Sequence, residues 1–290
     1  MLSADLLANA VVAGILLGGF YAAVAIGLAI VFGQLDIVNI AHPAFVIVGA
    51  YSAYILNSRF GVDPVLVGVA MAPVFFFAGA LIYRVYYLAF ERTGQESLSG
   101  LAFFFGVMFI IEVSLIMAYG VDYRLVQAGY IGQTWSIGFV DLPLRMLVPC
   151  VISVVLTAGV WLYLSRTFTG RAIQAVAQDR LALQLMGADP VRIKQWAFGL
   201  GMATAAIAGA MLIIIGPVEP SVGRQYIGRA FAIVVLGGMG SIQGMFIAAL
   251  ILGVVESMVA TFVGPSWSPA VAFGVLALTL ALRPAGLFGR

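Results

Sequence analysis

The sequence predicts an all-α, polytopic membrane protein built as a bundle of transmembrane helices. Hydrophobic residues make up 63% of the 290 residues and charged residues only 9%, whereas soluble domains carry about 25% charged residues. Uncharged stretches long enough to cross a bilayer, about 20 residues each, recur along the whole chain. No polar stretch is long enough for a separate soluble domain, so residues 1–290 are predicted to form a single transmembrane domain.

We predict about nine crossings, and two interrupted segments that could re-enter the membrane allow eight to ten. The first six predicted spans cover residues 6–35, 43–57, 64–87, 98–118, 143–165 and 192–215. A half-span from residue 230, a span that ends near residue 263 and a last span at 268–282 complete the set. Gly14 and Gly18 share one face of the first span, which favours close approach of a neighbouring helix.

Two connectors between the spans have a distinctive composition. Residues 119–142 mix glycine with aromatic and β-branched residues, which indicates an exposed loop or a short hairpin at the membrane surface. Residues 166–194 carry five basic and two acidic side chains. Because basic residues concentrate in cytoplasmic loops, this loop is predicted to be cytoplasmic. Alternate crossings then place the N-terminus outside and the C-terminus in the cytoplasm.

Within that loop, residues 171–187 have the small-residue pattern of one short helix. Gly187 suits the position just after a helix C-terminus, where a left-handed backbone is common. Asp189 followed by Pro190 is typical of an N-cap and a first-turn proline, so a second helix is predicted to start there and enter the membrane.

The two interruptions, residues 33–43 and 237–244, occupy comparable places in the two halves of the chain, which in transporters indicates the substrate pathway. Ionisable groups inside spans are costly and are usually functional. Candidate residues of the translocation path are Asn39, His42, Glu112, Gly237, Gly238, Gly240 and Glu256.

Each of these candidates also has a structural interpretation. His42 is either a gate contact or the donor of a hydrogen bond at a helix start, and the second is favoured. Asn39 and Asp36 are favoured as helix caps. Glu112 and Glu256 either line a path or pair with an arginine, and the glycines either form an unwound segment or allow tight packing.

A family resemblance rests on four patches of the sequence. The segment Ala175-x-Ala177-Gln178-Asp179-x-x-Ala182-x-x-Leu185-Met186-Gly187 resembles the cytoplasmic coupling loop of branched-chain amino acid ABC-transporter permeases. Gly27-Leu-x-x-Val-Phe-Gly33 with Val38-Asn39-x-Ala41-His42 and Gly49-Ala50-Tyr51 resembles their N-terminal signature. Leu236-Gly-Gly-Met-Gly-Ser-Ile-x-Gly244 and Arg283-Pro284-x-Gly286-Leu287 resemble their C-terminal motifs.

The chain departs from the family pattern at two places. Leu181 stands where the wider importer loop pattern has a glutamate, and Pro43-Ala44 stands where a glycine and an acidic residue are common. The pattern as a whole is closest to the H-type of the family's two related permease subunits.

The resemblance implies an importer of branched-chain or other hydrophobic amino acids, amides or urea in a bacterial inner membrane. It also implies the partners: a second homologous permease subunit, two cytoplasmic ATPase subunits and an extracytoplasmic binding protein. The coupling helix to the ATPase would comprise Ala175, Ala177, Gln178, Asp179, Ala182, Leu185, Met186 and Gly187.

Absent motifs restrict the function further. A P-loop requires Gly-Lys-Ser/Thr, and the only lysine, Lys194, follows Ile193. We therefore expect no catalytic site and no cofactor in this chain, with ATP bound by partner subunits. One histidine and one cysteine predict no metal site, and nothing indicates nucleic-acid binding. The alternative function is an ion-coupled secondary transporter that uses Glu112, Glu256, Asp36 or His42 as a proton carrier.

Overall fold

The computed structural model describes residues 4–94, 97–138, 140–283 and 285–289, and helices make up most of them. The helices are α1 (Ala4–Leu35), α2 (His42–Phe60), α3 (Pro64–Ala89), α4 (Ser97–Tyr119), α5 (Leu144–Arg166), α6 (Phe168–Gln178), α7 (Arg180–Leu185), α8 (Pro190–Ile215), α9 (Gly223–Gly237), α10 (Ile242–Phe262) and α11 (Ser268–Leu282). Pro284, in the closing motif, lies outside the described residues.

Seven helices of the described chain are long and apolar enough to cross a membrane, namely α1, α3, α4, α5, α8, α10 and the segment that ends with α11. The 19-residue α2 and the 15-residue α9 complete a set of nine. At 1.5 Å per residue α9 is only about 22 Å long, so it is a short helix where the sequence predicts a half-span. The prediction of an all-α polytopic bundle with about nine spans is confirmed.

The centre of the bundle is formed by α1 and α8. α1 packs against α5, α8 and α10, and α8 packs against α2 and α3. Gly18 of α1 lies so close to α10 that a Cβ there would be 2.7 Å from Leu250 Cα. Glycine allows this backbone approach because it has no side chain. Close packing is needed in a membrane, since apolar side chains gain little by contacting each other instead of lipid.

The loop of residues 166–194 and the ends of α1 and α3 lie at one end of the bundle, which we call the loop end. At the far end, Thr134–Ile137 and Val140–Pro143 form an antiparallel hairpin. The connector before it is attached to α2, because Asn57 Nδ2 donates to Gln127 O at 2.9 Å and Gln127 N donates to Asn57 Oδ1 at 3.0 Å. The far end therefore carries an ordered cap.

Two further contacts hold this cap in place. Arg124 and Val218 exchange backbone hydrogen bonds of 2.8 and 3.0 Å. The Tyr130 hydroxyl donates to Asp63 Oδ1 at 3.4 Å, and burial together with the Asp63 carboxylate raises the pKa of Tyr130. The hydroxyl therefore remains a donor above the pH at which a free tyrosine ionises.

The loop contains two short helices where the sequence predicts one. Asp179 has an extended backbone that ends α6, and its Oδ1 accepts hydrogen bonds from Leu181 N at 2.8 Å and Ala182 N at 2.9 Å. An aspartate side chain that caps the following residues competes with helix continuation. The other local predictions hold, because Gly187 has φ +81° and Asp189 caps α8 ahead of Pro190.

Candidate functional site

The two interruptions of the sequence meet at the loop end of the bundle. Gln34 Nε2, at the end of α1, donates to Gly240 O at 2.9 Å in the turn between α9 and α10. Gly33 lies beside the same turn, where a Cβ would be 2.8 Å from Gly240 N. The breaks in the two halves of the chain therefore form one connected structure.

The first break is held by buried polar side chains. Asp36 adopts a left-handed backbone with φ 57° directly after α1. Asn39 is fully buried, and its Oδ1 accepts from Ala41 N at 3.1 Å in the turn ahead of α2, whose N-cap is Ala41 and has no side-chain cap. His42 is also fully buried, and its Nε2 lies 3.1 Å from Val24 O of α1.

His42 is the first residue of α2, and its ring forms a hydrogen bond that connects α2 to α1. Gly27 makes this possible, because any Cβ there would overlap the His42 ring. A single histidine at a helix start carries no sequence signal for a partner 18 residues upstream. Its role as a gate stays a prediction.

The second break is held by glycine backbone contacts. Gly238 and Gly240 have φ 91° and 87°, values that residues with a Cβ rarely adopt. A Cβ on Gly237 would be 2.5 Å from Met245 Cα, and one on Gly238 would be 2.8 Å from Gly289 Cα. The C-terminal segment therefore packs directly on this break.

A cavity of about 630 Å³ opens between the two breaks and α6. Its polar wall is formed by Gln34, Gln174, Gln178, Ser241 and Gln243. Trp161 and Leu164 of α5 and Phe288 contribute apolar surface, and none of the described lining residues carries a formal charge. This volume lies within the range of small-molecule sites, about 300–1,000 Å³.

The cavity includes part of the predicted set. Gly240 belongs to the candidate path, and Ala177 and Gln178 belong to the candidate coupling helix. Of the other path candidates, Asn39, His42, Gly237 and Gly238 belong to the breaks but do not line this cavity. Sequence reasoning missed the other glutamines, although Gln174 and Gln178 share one helical face by their spacing of four.

The two carboxylates inside the spans both pair with arginines of α9. Glu112 accepts hydrogen bonds from Arg224, one of them from Nε at 2.8 Å, beside a small cavity bordered by Ala44 and Pro220. Glu256 accepts from Arg229 Nε at 3.0 Å. The arginine-pair alternative is therefore the observed one, and lining of a path by either carboxylate stays a prediction.

Glu256 is also the centre of a larger hydrogen-bond network. It is 1% exposed, and its Oε2 accepts from the Tyr21 hydroxyl at 2.6 Å and from Ser268 Oγ at 3.1 Å. The network joins α1, α9, α10 and α11. Both oxygens of Glu256 are therefore engaged by groups of the bundle itself, and a role for it as the proton carrier of the alternative function stays a prediction.

The predicted coupling segment presents an apolar surface at the loop end. α6 buries Ala172, Ile173 and Val176 against the bundle. Four large apolar side chains of the loop are 65–85% exposed: Phe168, Leu181, Leu185 and Met186. Ala177, Gln178, Asp179, Ala182 and Gly187 are exposed and Ala175 is half-buried. Phe168 and Leu181 were not among the predicted contacts.

Comparison with known proteins places the chain in a family. Residues 10–280 match the family described as branched-chain amino acid transport system / permease component. The high-affinity branched-chain amino acid transport system permease protein BraD of Pseudomonas aeruginosa is 30% identical over 288 residues, which covers 96% of this chain and 94% of BraD.

Two further relatives and one solved structure agree with this match. LivH of Escherichia coli K12 is 26% identical over 96% of this chain and 94% of its own length. LivM of Salmonella typhimurium is 28% identical over 92% of this chain and 67% of its own length. PsaBC from Streptococcus pneumoniae in complex with Fab superposes with a TM-score of 0.51 at 13% identity, over 98% of this chain and 94% of that chain, which supports the fold alone.

A family match over nearly the whole length, on a bundle whose helix breaks meet at a polar cavity, identifies the chain's role in the membrane. It is a permease subunit and belongs to the family of branched-chain amino acid transport system permease components.

Proposed function

We propose that this subunit translocates branched-chain or other hydrophobic amino acids as part of an importer driven by separate ATPase subunits. The observation that carries the proposal is the cavity itself, since both helix breaks and coupling helix α6 line it. A movement of α6 would change the shape of this cavity directly. We take the cavity as the inner part of the path for the substrate.

The lining of the cavity suits a solute without net charge. Amide and hydroxyl groups offer both donors and acceptors, and Trp161 and Leu164 offer apolar contact. A zwitterionic amino acid with an apolar side chain needs both kinds of surface. Neutral amides and urea need only the polar surface. In our proposal a separate binding protein therefore selects the substrate among these solutes.

The exposed apolar residues of the loop support an ATPase as the partner there. Large contiguous apolar surface in water marks protein–protein contact, and exposed apolar side chains lie on α7, Leu181 and Leu185, and directly after it, Met186. We assign ATP binding to two such subunits. The relation to both LivH and LivM supports a second, homologous permease subunit, and an extracytoplasmic binding protein would deliver the substrate to the far end.

The proposed arrangement places the loop end, and with it the C-terminus, in the cytoplasm of a bacterial cell. The basic excess of residues 166–194 supports this orientation. A cysteine at the exposed Gln178 should react with a membrane-impermeant thiol reagent in inside-out vesicles only, in a background in which Cys150 is replaced by Ser. Labelling from outside in intact cells would contradict the orientation and the coupling role together.

The partner contact is tested by Ala182→Trp. Ala182 is exposed on α7, so the larger side chain disturbs a docked ATPase and leaves the subunit itself intact. Overpacking costs about 1–3 kcal/mol, which weakens assembly by about one to two decades at 1.4 kcal/mol per decade. We expect ATPase co-purification and substrate uptake to fall while the amount in the membrane is unchanged.

The matched control for this variant is Ala78→Trp, which adds the same bulk at an exposed position of α3 within the predicted membrane region. It should retain ATPase co-purification. Wild-type uptake by Ala182→Trp with ATPases still bound would show that α7 is not the contact.

A further inference from the structure

We propose that Lys194 and Glu91 form a positioning pair that transmits movement of the coupling loop to the turn between α3 and α4. The proposal rests on the proposed coupling to an ATPase. Lys194 is the only lysine of the chain and lies in the first turns of α8, at the end of the loop of residues 166–194. Glu91 lies in the short 3₁₀ turn Glu91–Thr93 between α3 and α4.

The pair is buried at the loop end of the bundle. The side chains of Lys194 and Glu91 are only 3% and 7% exposed, and Lys194 Nζ donates to Glu91 Oε1. The Tyr83 hydroxyl donates to Glu91 Oε2 at 2.9 Å. The carboxylate is therefore held by α3 on one side and by α8 on the other.

Neighbouring contacts make α3 and α8 one mechanical unit. Gln195 Nε2 donates to Ala80 O of α3 at 3.1 Å. Further along the helices, a Cβ on Gly199 would be 2.8 Å from Phe76 O, so the two backbones nearly touch. A displacement of the start of α8 should therefore move the end of α3 and the turn that leads to α4.

The chemistry of the pair explains why packing alone does not serve this role. Apolar contact is non-directional, so helices joined only by it can slide or rotate. A buried ion pair is costly to desolvate and weak evidence for stability, and its best-supported use is to specify one register. Lys194 and Glu91 fix the register at the one place where α8 leaves the loop.

The two ends of the coupling loop differ in this respect. At its beginning, Thr167 is extended, with ψ 156°, and caps α6 through a 3.0 Å bond to Gly170 N. These contacts stay within the α5–α6 corner, and no ion pair is described between this corner and another helix. At its end, the loop continues into Lys194. The end of the loop therefore has a directional connection to α3, in addition to the apolar packing of α6 against the bundle.

The experiment uses the complete importer in proteoliposomes and measures ATP hydrolysed per solute transported. The principal variant is Lys194→Met combined with Glu91→Gln. It removes both charges together, so neither is left buried without its partner, a change that is often neutral for stability. We expect the ATP cost per transported solute to rise by roughly fivefold, the lower end of coupling between two sites, with both ATPases still bound.

Two further variants separate transmission from stability. The exchange Lys194→Glu with Glu91→Lys restores an ion pair and should return the ratio towards the wild-type value, as should Lys194→Arg. Arg84→Met, which removes an exposed cation of α3, should leave the ratio unchanged. A structural role would change the amount of subunit without changing this ratio.

A wild-type ratio in the neutral double variant would overturn the proposal. If the neutral double variant fails to assemble, the exchange variant Lys194→Glu with Glu91→Lys is the test. A raised ratio of ATP to solute in an assembled exchange variant would also overturn the proposal. Failure of the wild-type subunit to bind any ATPase would refute the proposed function instead, so the two failures are distinguishable.

Discussion

The two breaks in the helix bundle carry out one structural task with different chemistry. In the first, Asn39 and His42 are fully buried side chains that hydrogen-bond to Ala41 and to Val24. In the second, Gly237, Gly238 and Gly244 bring backbones into contact, and no side chain is needed for the approach. Both leave backbone groups outside the regular helix pattern at the loop end of the bundle.

The difference bears on what each break tolerates. A side-chain hydrogen bond contributes about 0.5–1.5 kcal/mol net, so its loss weakens the first break without closing the space around it. At a glycine that contacts another backbone, even one added carbon atom must displace that backbone, so a small substitution already has a large effect. The second break should therefore be the more sensitive of the two to substitution.

The largest effect is expected for Gly238→Leu. The residue has φ 91°, and a Cβ would be 2.8 Å from Gly289 Cα. Left-handed strain of about 1–2 kcal/mol adds to overpacking of about 1–3 kcal/mol. We expect uptake to be abolished while the subunit still inserts, measured by transport assays and by quantifying the subunit in membranes. Normal transport would mean that this break is open to lipid or water.

An intermediate effect is expected for His42→Leu, which tests the polar break. Loss of the contact to Val24 O should reduce stability by about 1–3 kcal/mol, the range for removing one partner of a buried hydrogen bond. Thermal unfolding of the detergent-solubilised subunit measures the change. His42→Gln keeps a donor and should lose less, so equal losses in the two variants would show that shape matters here and not the hydrogen bond.

The smallest effect is expected for Gly240→Ala, in the same turn as Gly238. Its φ is 87°, but the nearest atom to an added Cβ is Gly33 O at 3.5 Å, an ordinary contact distance. Only conformational strain remains, about 1 kcal/mol. Comparison with Gly238→Ala by the same unfolding assay isolates the contact with the C-terminal segment. Equal losses at the two positions would show that this contact contributes nothing.

Much of the architecture could be predicted from sequence because it depends on neighbours within a turn or two. Apolar length sets the spans, and Asp189-Pro190 starts α8 as predicted. Gly187 takes the left-handed backbone that its position indicates. The division of the coupling segment at Asp179 was missed, although its cause is also local. The alanine-rich sequence around Asp179 favours one continuous helix, and the prediction gave this preference more weight than the capping tendency of the aspartate.

The candidate site was predictable in part only. The sequence identified both breaks as important from their glycines and polar residues, and it left open whether Glu112 and Glu256 meet arginines. It contained no signal that Arg224 and Arg229 are those partners, because the first pair joins residues 112 positions apart. For the glutamines that line the cavity the sequence contained only a weak signal, the spacing of four between Gln174 and Gln178, since an uncharged polar residue fits a loop or a surface equally well.

The sequence by itself determined which segments are helical, many of their ends to within a few residues, and which are apolar enough for a membrane, because hydropathy and capping act over a few neighbouring residues. Only the tertiary structure decided that Gly33 and Gly240 meet, that His42 binds to α1, and that Lys194 reaches Glu91. Such contacts depend on how closely distant helices approach and at what register. That approach is settled by small residues packing along the whole length of each helix, and no single local pattern encodes it.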